Sequence, residues 1–138
     1  MVGLVVVTHG RLASVLLETA AQVCGSVEAA AAIDVPATLA PPEISKRVLE
    51  AIAEVDRGQG VLVLVDLLGG TPWNRTAGLV GTRDVEVLAG VNLPMLLKFA
   101  VIRERGTPTE LARELALYGR KHMEIASERI DGSGEREQ

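Results

Sequence analysis

Val2-Gly3-Leu4-Val5-Val6-Val7-Thr8-His9-Gly10 and Val61-Leu62-Val63-Leu64-Val65-Asp66-Leu67-Leu68-Gly69-Gly70-Thr71-Pro72-Trp73-Asn74 decide the fold of this chain. Each opens as a short aliphatic run rich in valine, the pattern of a buried strand. The first run ends on a histidine and the second on an aspartate. In a parallel sheet the C-terminal strand ends share one edge, where loops meet helix starts and ligands bind. His9 and Asp66 brought to that edge read as a reactive imidazole and the carboxylate that orients it, rather than as packing residues.

Working outward from these runs, strands and helices alternate. Residues 2–8 form the first strand, and a helix over 12–23 ends near Gly25. Residues 29–35 make a second strand, although alanines are poor strand formers. Pro41-Pro42 opens a helix over 43–56, with Ile44, Val48, Ala51, Ile52 and Val55 on one face. Gly58-Gln59-Gly60 breaks it before the third strand, 61–66. Thr71 is expected to cap, and Pro72 to start, a helix that reaches Val80 and stops at Gly81. Residues 85–89 are the fourth strand, Gly90-Val91-Asn92-Leu93 a loop, and Pro94 begins a helix to Arg103. Pro108 opens the last helix, reaching Ser127.

This βαβαβαβα order, with right-handed crossovers, gives an α/β fold: an open, mostly parallel, doubly wound sheet. Strand order 2-1-3-4 makes the first and third strands neighbours, with the chain reversing direction between them. It is the commonest arrangement that puts His9 and Asp66 in one crevice. Residues 1–130 are expected to form a single domain, and 131–138 a flexible polar tail.

Composition narrows the function. The chain has 138 residues, nearly half of them apolar, but its only aromatics are Trp73, Phe99 and Tyr118, so the core is aliphatic. A net charge of −4 argues against nucleic acid as a partner, because phosphate backbones demand a basic face. A single cysteine, Cys24, excludes an intramolecular disulfide and a multi-thiolate metal site; it is read as a small buried apolar residue. No apolar stretch reaches the ~20 residues of a membrane span. No basic leader or cleavage site is evident, and a cytoplasmic domain is expected.

A neutral imidazole at a strand end can attack phosphorus. Asp66, by accepting from one ring N–H, would fix the tautomer, free the other nitrogen and steady the charge that develops. Nδ1–H is expected to face Asp66 and Nε2 to react. Gly10 leaves approach to the ring open. Gly69 and Gly70 allow close backbone approach to a phosphoryl group, and Thr71 adds a hydroxyl and a helix start whose N–H groups favour anions. Arg11 reads as solvated. His and Asp are also metal ligands, but no third ligand stands at a telling spacing, so neither a metal nor a cofactor is expected. His122, near a helix end, reads as solvent-facing and favourable to the helix dipole. Trp73 reads equally well as core or as an exposed partner anchor.

Three segments also carry a family likeness: Val5-Val6-Val7-Thr8-His9-Gly10, Val65 to Asn74, and Ala89-Gly90-Val91-Asn92-Leu93-Pro94-Met95-Leu96. With them the chain resembles the enzyme IIA domain of the mannose class (mannose/fructose/sorbose type) of the bacterial phosphoenolpyruvate-dependent sugar phosphotransferase system. The resemblance implies a phosphotransferase component working through a phosphohistidine. His9 would receive a phosphoryl group from the histidine phosphocarrier protein and pass it to an enzyme IIB in sugar uptake. Asp66 would be its partner, with Thr71 and the Gly69-Gly70 backbone on the phosphate and Trp73 and Asn92 at the docking face. The resemblance further implies a homodimer, in which an antiparallel edge strand near the C-terminus is exchanged. The stretch 125–130 is a poor candidate for that strand. The family often carries Ser and Phe where Thr71 and Trp73 stand, which keeps hydroxyl and aromatic bulk. Membrane contact would be indirect, through transporter subunits. A regulatory phospho-switch without transport, and a phosphoryl-carrier subunit for dihydroxyacetone kinase, use His9 in the same way and stay open.

Overall fold

In a computed structural model, which describes residues 1–81 and 83–132, four strands form one sheet. They are β1 (Gly3–His9), β2 (Ala30–Val35), β3 (Val61–Val65) and β4 (Val85–Ala89). All pair in parallel, in the order β2-β1-β3-β4. The connecting helices are α1 (Leu12–Cys24), α2 (Pro41–Val55), α3 (Thr71–Asn74), α4 (Leu93–Ile102), α5 (Pro108–Lys121) and α6 (Ala126–Gly132). The expected α/β fold and strand order are those observed.

Strand periodicity sorts the core into two layers. Leu4 and Val6 of β1, with Leu62 and Leu64 of β3, face α1, α4 and α5, meeting Phe99, Ile102, Leu111 and Leu115. Val5, Val7, Val61, Val63 and Val65 face α2, meeting Ile44, Val48, Ile52 and Val55. Every residue of β3 is buried. Full burial of each such side chain stabilises by about 1.5–3 kcal/mol, so the central strands that end at His9 and Asp66 are rigid supports.

Two helical expectations and one of burial are corrected. The helix read over 71–80 is a single turn, α3, followed by a 3₁₀ turn at Ala77–Leu79. Buried Thr76 interrupts it: its hydroxyl donates to the Pro72 carbonyl at 2.8 Å, and its N–H bonds three residues back, to Trp73. The last helix stops at Lys121, where the Nδ1 of His122 meets the Tyr118 carbonyl at 2.8 Å; α6 is a separate piece. Cys24 is exposed, not buried, because the last turn of α1 stands clear of the core. The segment 125–130 is helical from Ala126, and no antiparallel strand occurs among the described residues. Of the polar tail, 131 and 132 end α6, and 133–138 lie outside the described residues.

Two polar features were not signalled by pattern. Arg103, at the end of α4, is 5% exposed and holds the opposite edge of the sheet together. Its guanidinium donates to the carbonyls of Val2 at 2.8 Å, Glu28 at 2.6 Å and Ala29 at 3.1 Å. Burial lowers its pKa, against the raising influence of Glu104 and Glu28. At the free edge, Val61 N–H donates to the Asp84 carbonyl and Gly90 N–H to that of Val65. The even positions of β4 therefore face β3, and Val85, Val87 and Ala89 point their N–H groups outward. The Val87 N–H is met by Glu86 Oε1 at 3.0 Å, while Glu86 Oε2 accepts from Thr109 Oγ1 of α5 at 2.9 Å.

Candidate active site

The neighbouring positions of β1 and β3 bring His9 and Asp66 together at the C-terminal edge. Asp66 holds the histidine twice. His9 Nδ1 stands 3.0 Å from Asp66 Oδ2 and 3.2 Å from Oδ1, and the His9 backbone N–H donates to Oδ2 at 3.0 Å. The carboxylate is 14% exposed and the imidazole 44% exposed. A mostly sheltered acceptor on Nδ1 favours the tautomer with the proton there, which leaves the Nε2 lone pair facing outward.

The ring edge carrying Cε1 lies against the β3–α3 loop. A Cβ built on Gly70 would stand 2.8 Å from His9 Cε1 and 3.3 Å from Nε2, so only glycine lets the ring sit there. Gly69 has φ +89, a left-handed conformation that lets the loop turn back over the ring. Gly10 lines the cleft beside the imidazole, and glycine is favoured there by its φ of +59. Its N–H donates to the Val35 carbonyl at 3.0 Å, pinning the turn after His9 to β2.

Thr71 is exposed and is the first helical residue of α3; the capping position is Gly70, and no side chain caps this helix. The Thr71 hydroxyl has no hydrogen-bond partner among the described residues, so it is available to a ligand. The N–H groups of Gly69 and Thr71 likewise have no hydrogen-bond partner among the described residues. A four-residue helix carries little macrodipole, so these local donors matter more than the expected helix-end field. An open cleft of about 450 Å³ runs beside His9, lined also by Gly10, Val35, Leu39, Ile44 and Thr71.

The remaining expected residues lie elsewhere. Trp73 is half-buried and packs on the α2 side of the core, as its core reading expects. Asn92 caps α4, its Oδ1 accepting from Met95 N–H at 3.1 Å. It lines a separate cleft of about 220 Å³ with Leu88, Met95, Gly119 and Met123. His122 is exposed at the end of α5, and Arg11 forms no ion pair among the described residues. No group of three or more His, Cys, Asp or Glu positioned for a metal occurs among the described residues. Leu67 and Leu68, 56% and 74% exposed, stand beside Asp66. Two leucines in a loop, where turn residues are the norm, were the available signal.

The arrangement is an exposed imidazole held by a sheltered carboxylate, beside the unbonded Thr71 hydroxyl and loop N–H groups. Comparison with known proteins gives a consistent picture. The EIIA-man profile, described as PTS system fructose IIA component, matches residues 3–116. The chain is 39% identical over 105 residues to the PTS system mannose-specific EIIAB component of Escherichia coli, across 75% of this chain and 32% of that protein. It thus spans about a third of that relative's length. It is 43% identical over 67 residues to the transcriptional regulatory protein LevR of Bacillus subtilis, across 48% of this chain and 7% of LevR. The mannose/sorbose specific IIA subunit of the phosphotransferase system from Enterococcus faecalis superposes with a TM-score of 0.81 at 29% identity, covering 90% of this chain and 93% of that one.

Proposed function

The chain belongs to the EIIA-man family of phosphotransferase-system IIA components, and from that premise we propose that it is a phosphoryl carrier working through His9. The donor is the phosphorylated histidine phosphocarrier protein, and the acceptor is an enzyme IIB. The observation that carries this reading is His9 Nδ1 held 3.0 Å from Asp66, with the ring seated against Gly70 of the β3–α3 loop and Nε2 left unbonded.

In the proposed step the Nε2 lone pair attacks the phosphorus of the donor's phosphohistidine. A new N–P bond forms as the donor's N–P bond breaks, and that electron pair returns to the donor imidazole. The proton on Nδ1 stays with the ring, and Asp66 stabilises the charge that builds there. The free N–H groups of the β3–α3 loop and the Thr71 hydroxyl receive the phosphoryl oxygens. Transfer to enzyme IIB is the same displacement, with His9 as the leaving group.

The donor has to dock over the loops that hold His9. Leu67 and Leu68 offer apolar contact there, with Trp73 beneath. The chain's net charge of −4 would steer a donor with basic residues around its own histidine, less strongly as salt rises. We further propose a homodimer with two separate His9 sites, since the open β4 edge has to be covered. No described helix is long and apolar enough to cross a membrane, which suits a cytoplasmic carrier that reaches the membrane through transporter subunits.

A test is incubation with radiolabelled phosphoenolpyruvate and the general phosphotransferase proteins. His9→Ala abolishes acid-labile label and His122→Ala leaves it intact. Equal labelling of the two variants rejects the assignment. The likeness to LevR favours one second reading, a domain whose phosphorylation state is read by a regulator. It predicts the same labelling but no passage of label to any enzyme IIB.

A further inference from the structure

Helix α1 begins directly after His9 and Gly10, yet its own capping position, Arg11, supplies no side-chain cap. Its first-turn N–H groups are satisfied from the sheet instead. Thr8 Oγ1, fully buried, accepts from Ala13 N–H at 2.6 Å. Asp34, which lies opposite Thr8 in the β1–β2 register, reaches across from β2. Its Oδ1 accepts from Ser14 N–H at 3.0 Å and its Oδ2 from Ser14 Oγ–H at 2.5 Å. A carboxylate at a helix N-terminus is also favoured by the helix dipole, and α1 has no acidic residue of its own in its first turn.

His9 therefore sits between two anchored carboxylates. Asp66 grips it directly from β3, and Asp34 grips the turn that follows it from β2. We infer that Asp34 is a positioning residue for phosphoryl transfer: by clamping Ser14 it fixes the start of α1, and with it the angle at which His9 presents Nε2. It does not touch the reacting atoms. Both of its oxygens accept, one from an N–H and one from an O–H, and charge-assisted bonds of this kind are the strong ones. A ring aimed by a turn held in this way loses rate when the turn loosens, because transfer depends on near-attack alignment.

This inference rests on the phosphoryl-carrier reading. The experiment follows the rate and the end point of labelling of the full chain by phosphorylated histidine phosphocarrier protein. Asp34→Ala slows labelling at saturating donor by about tenfold or more. The half-saturating donor concentration and the final stoichiometry stay unchanged. Asp34→Asn, which retains an acceptor for Ser14 N–H, recovers part of the rate. Ser14→Ala loses only the hydroxyl arm and slows less; because Ala suits a helix, it serves if Asp34→Ala fails to fold. Wild-type rate in Asp34→Ala overturns the inference. So does a loss confined to the end point, which marks a merely structural role, or one confined to half-saturation, which marks docking. Absence of label from the wild-type chain would instead reject the phosphoryl-carrier reading itself.

Discussion

Gly70 and His9 are in such close register that a single added methyl carbon at position 70 would stand 2.8 Å from the imidazole Cε1. The ring is thus aimed by backbone on one side and by Asp66 on the other. Gly70→Ala should push the ring from this seat without disturbing the core, since the loop is at the surface. Transfer is expected to fall about a hundredfold, the scale of an ångström's misplacement, with an unchanged unfolding midpoint. Stopped-flow labelling and chemical denaturation of the same sample check both parts.

Asp66→Asn preserves shape and removes charge. The amide can offer an N–H to Nδ1, which favours the tautomer with the proton on Nε2 and blocks attack. Labelling at saturating donor should drop by at least about a hundredfold while the far-ultraviolet circular dichroism spectrum is unchanged. A rate within twofold of wild type would remove Asp66 from the chemistry.

Arg103 predicts a stability effect far from the site. Arg103→Met takes the guanidinium donors from the carbonyls of Val2 and Glu28, while that of Ala29 keeps the Leu4 N–H. A loss of about 1–3 kcal/mol is expected, chiefly from the buried Val2 carbonyl left without these donors. Urea unfolding measures it. Because Arg103 lies at the opposite edge of the sheet, the folded fraction should still be labelled at the normal rate.

Leu68 and Trp73 separate docking from packing. Leu68 is 74% exposed, so Leu68→Asp should alter stability by no more than about 0.5 kcal/mol while raising the donor concentration needed for half-maximal rate. Trp73 packs on the core, so Trp73→Ala should cost about 1–3 kcal/mol as well as weaken docking. Calorimetric titration with the donor, alongside thermal melts, distinguishes the two.

β1, β3 and the His9–Asp66 pair were legible from unbroken aliphatic runs ending on a titratable residue, and the strand order from the commonest parallel arrangement that brings those two ends together. What lay hidden depends on contacts between distant positions. Nothing local to Arg103 announces that it will meet Val2, nor to Asp34 that it will meet Ser14. Gly70 could be read as a pliant turn, but that it also makes room for the histidine ring depends on the meeting of β1 and β3. The one-turn α3 is not legible in the sequence because Thr76, an ordinary helix-surface residue by pattern, buries its hydroxyl against the preceding turn. Cys24 has the spacing of a core residue, but its helix outruns the layer it packs on.

Glu86 has a meaning beyond its own two hydrogen bonds. An unpaired outer strand is a template on which any extended chain can crystallise, and β4 offers its middle donor, Val87 N–H, already occupied by a neighbouring carboxylate. A newcomer must evict that carboxylate and detach it from Thr109 before the ladder can grow past its centre. Such an edge resists casual zippering among crowded molecules, and it admits only a partner whose remaining contacts compensate for the eviction.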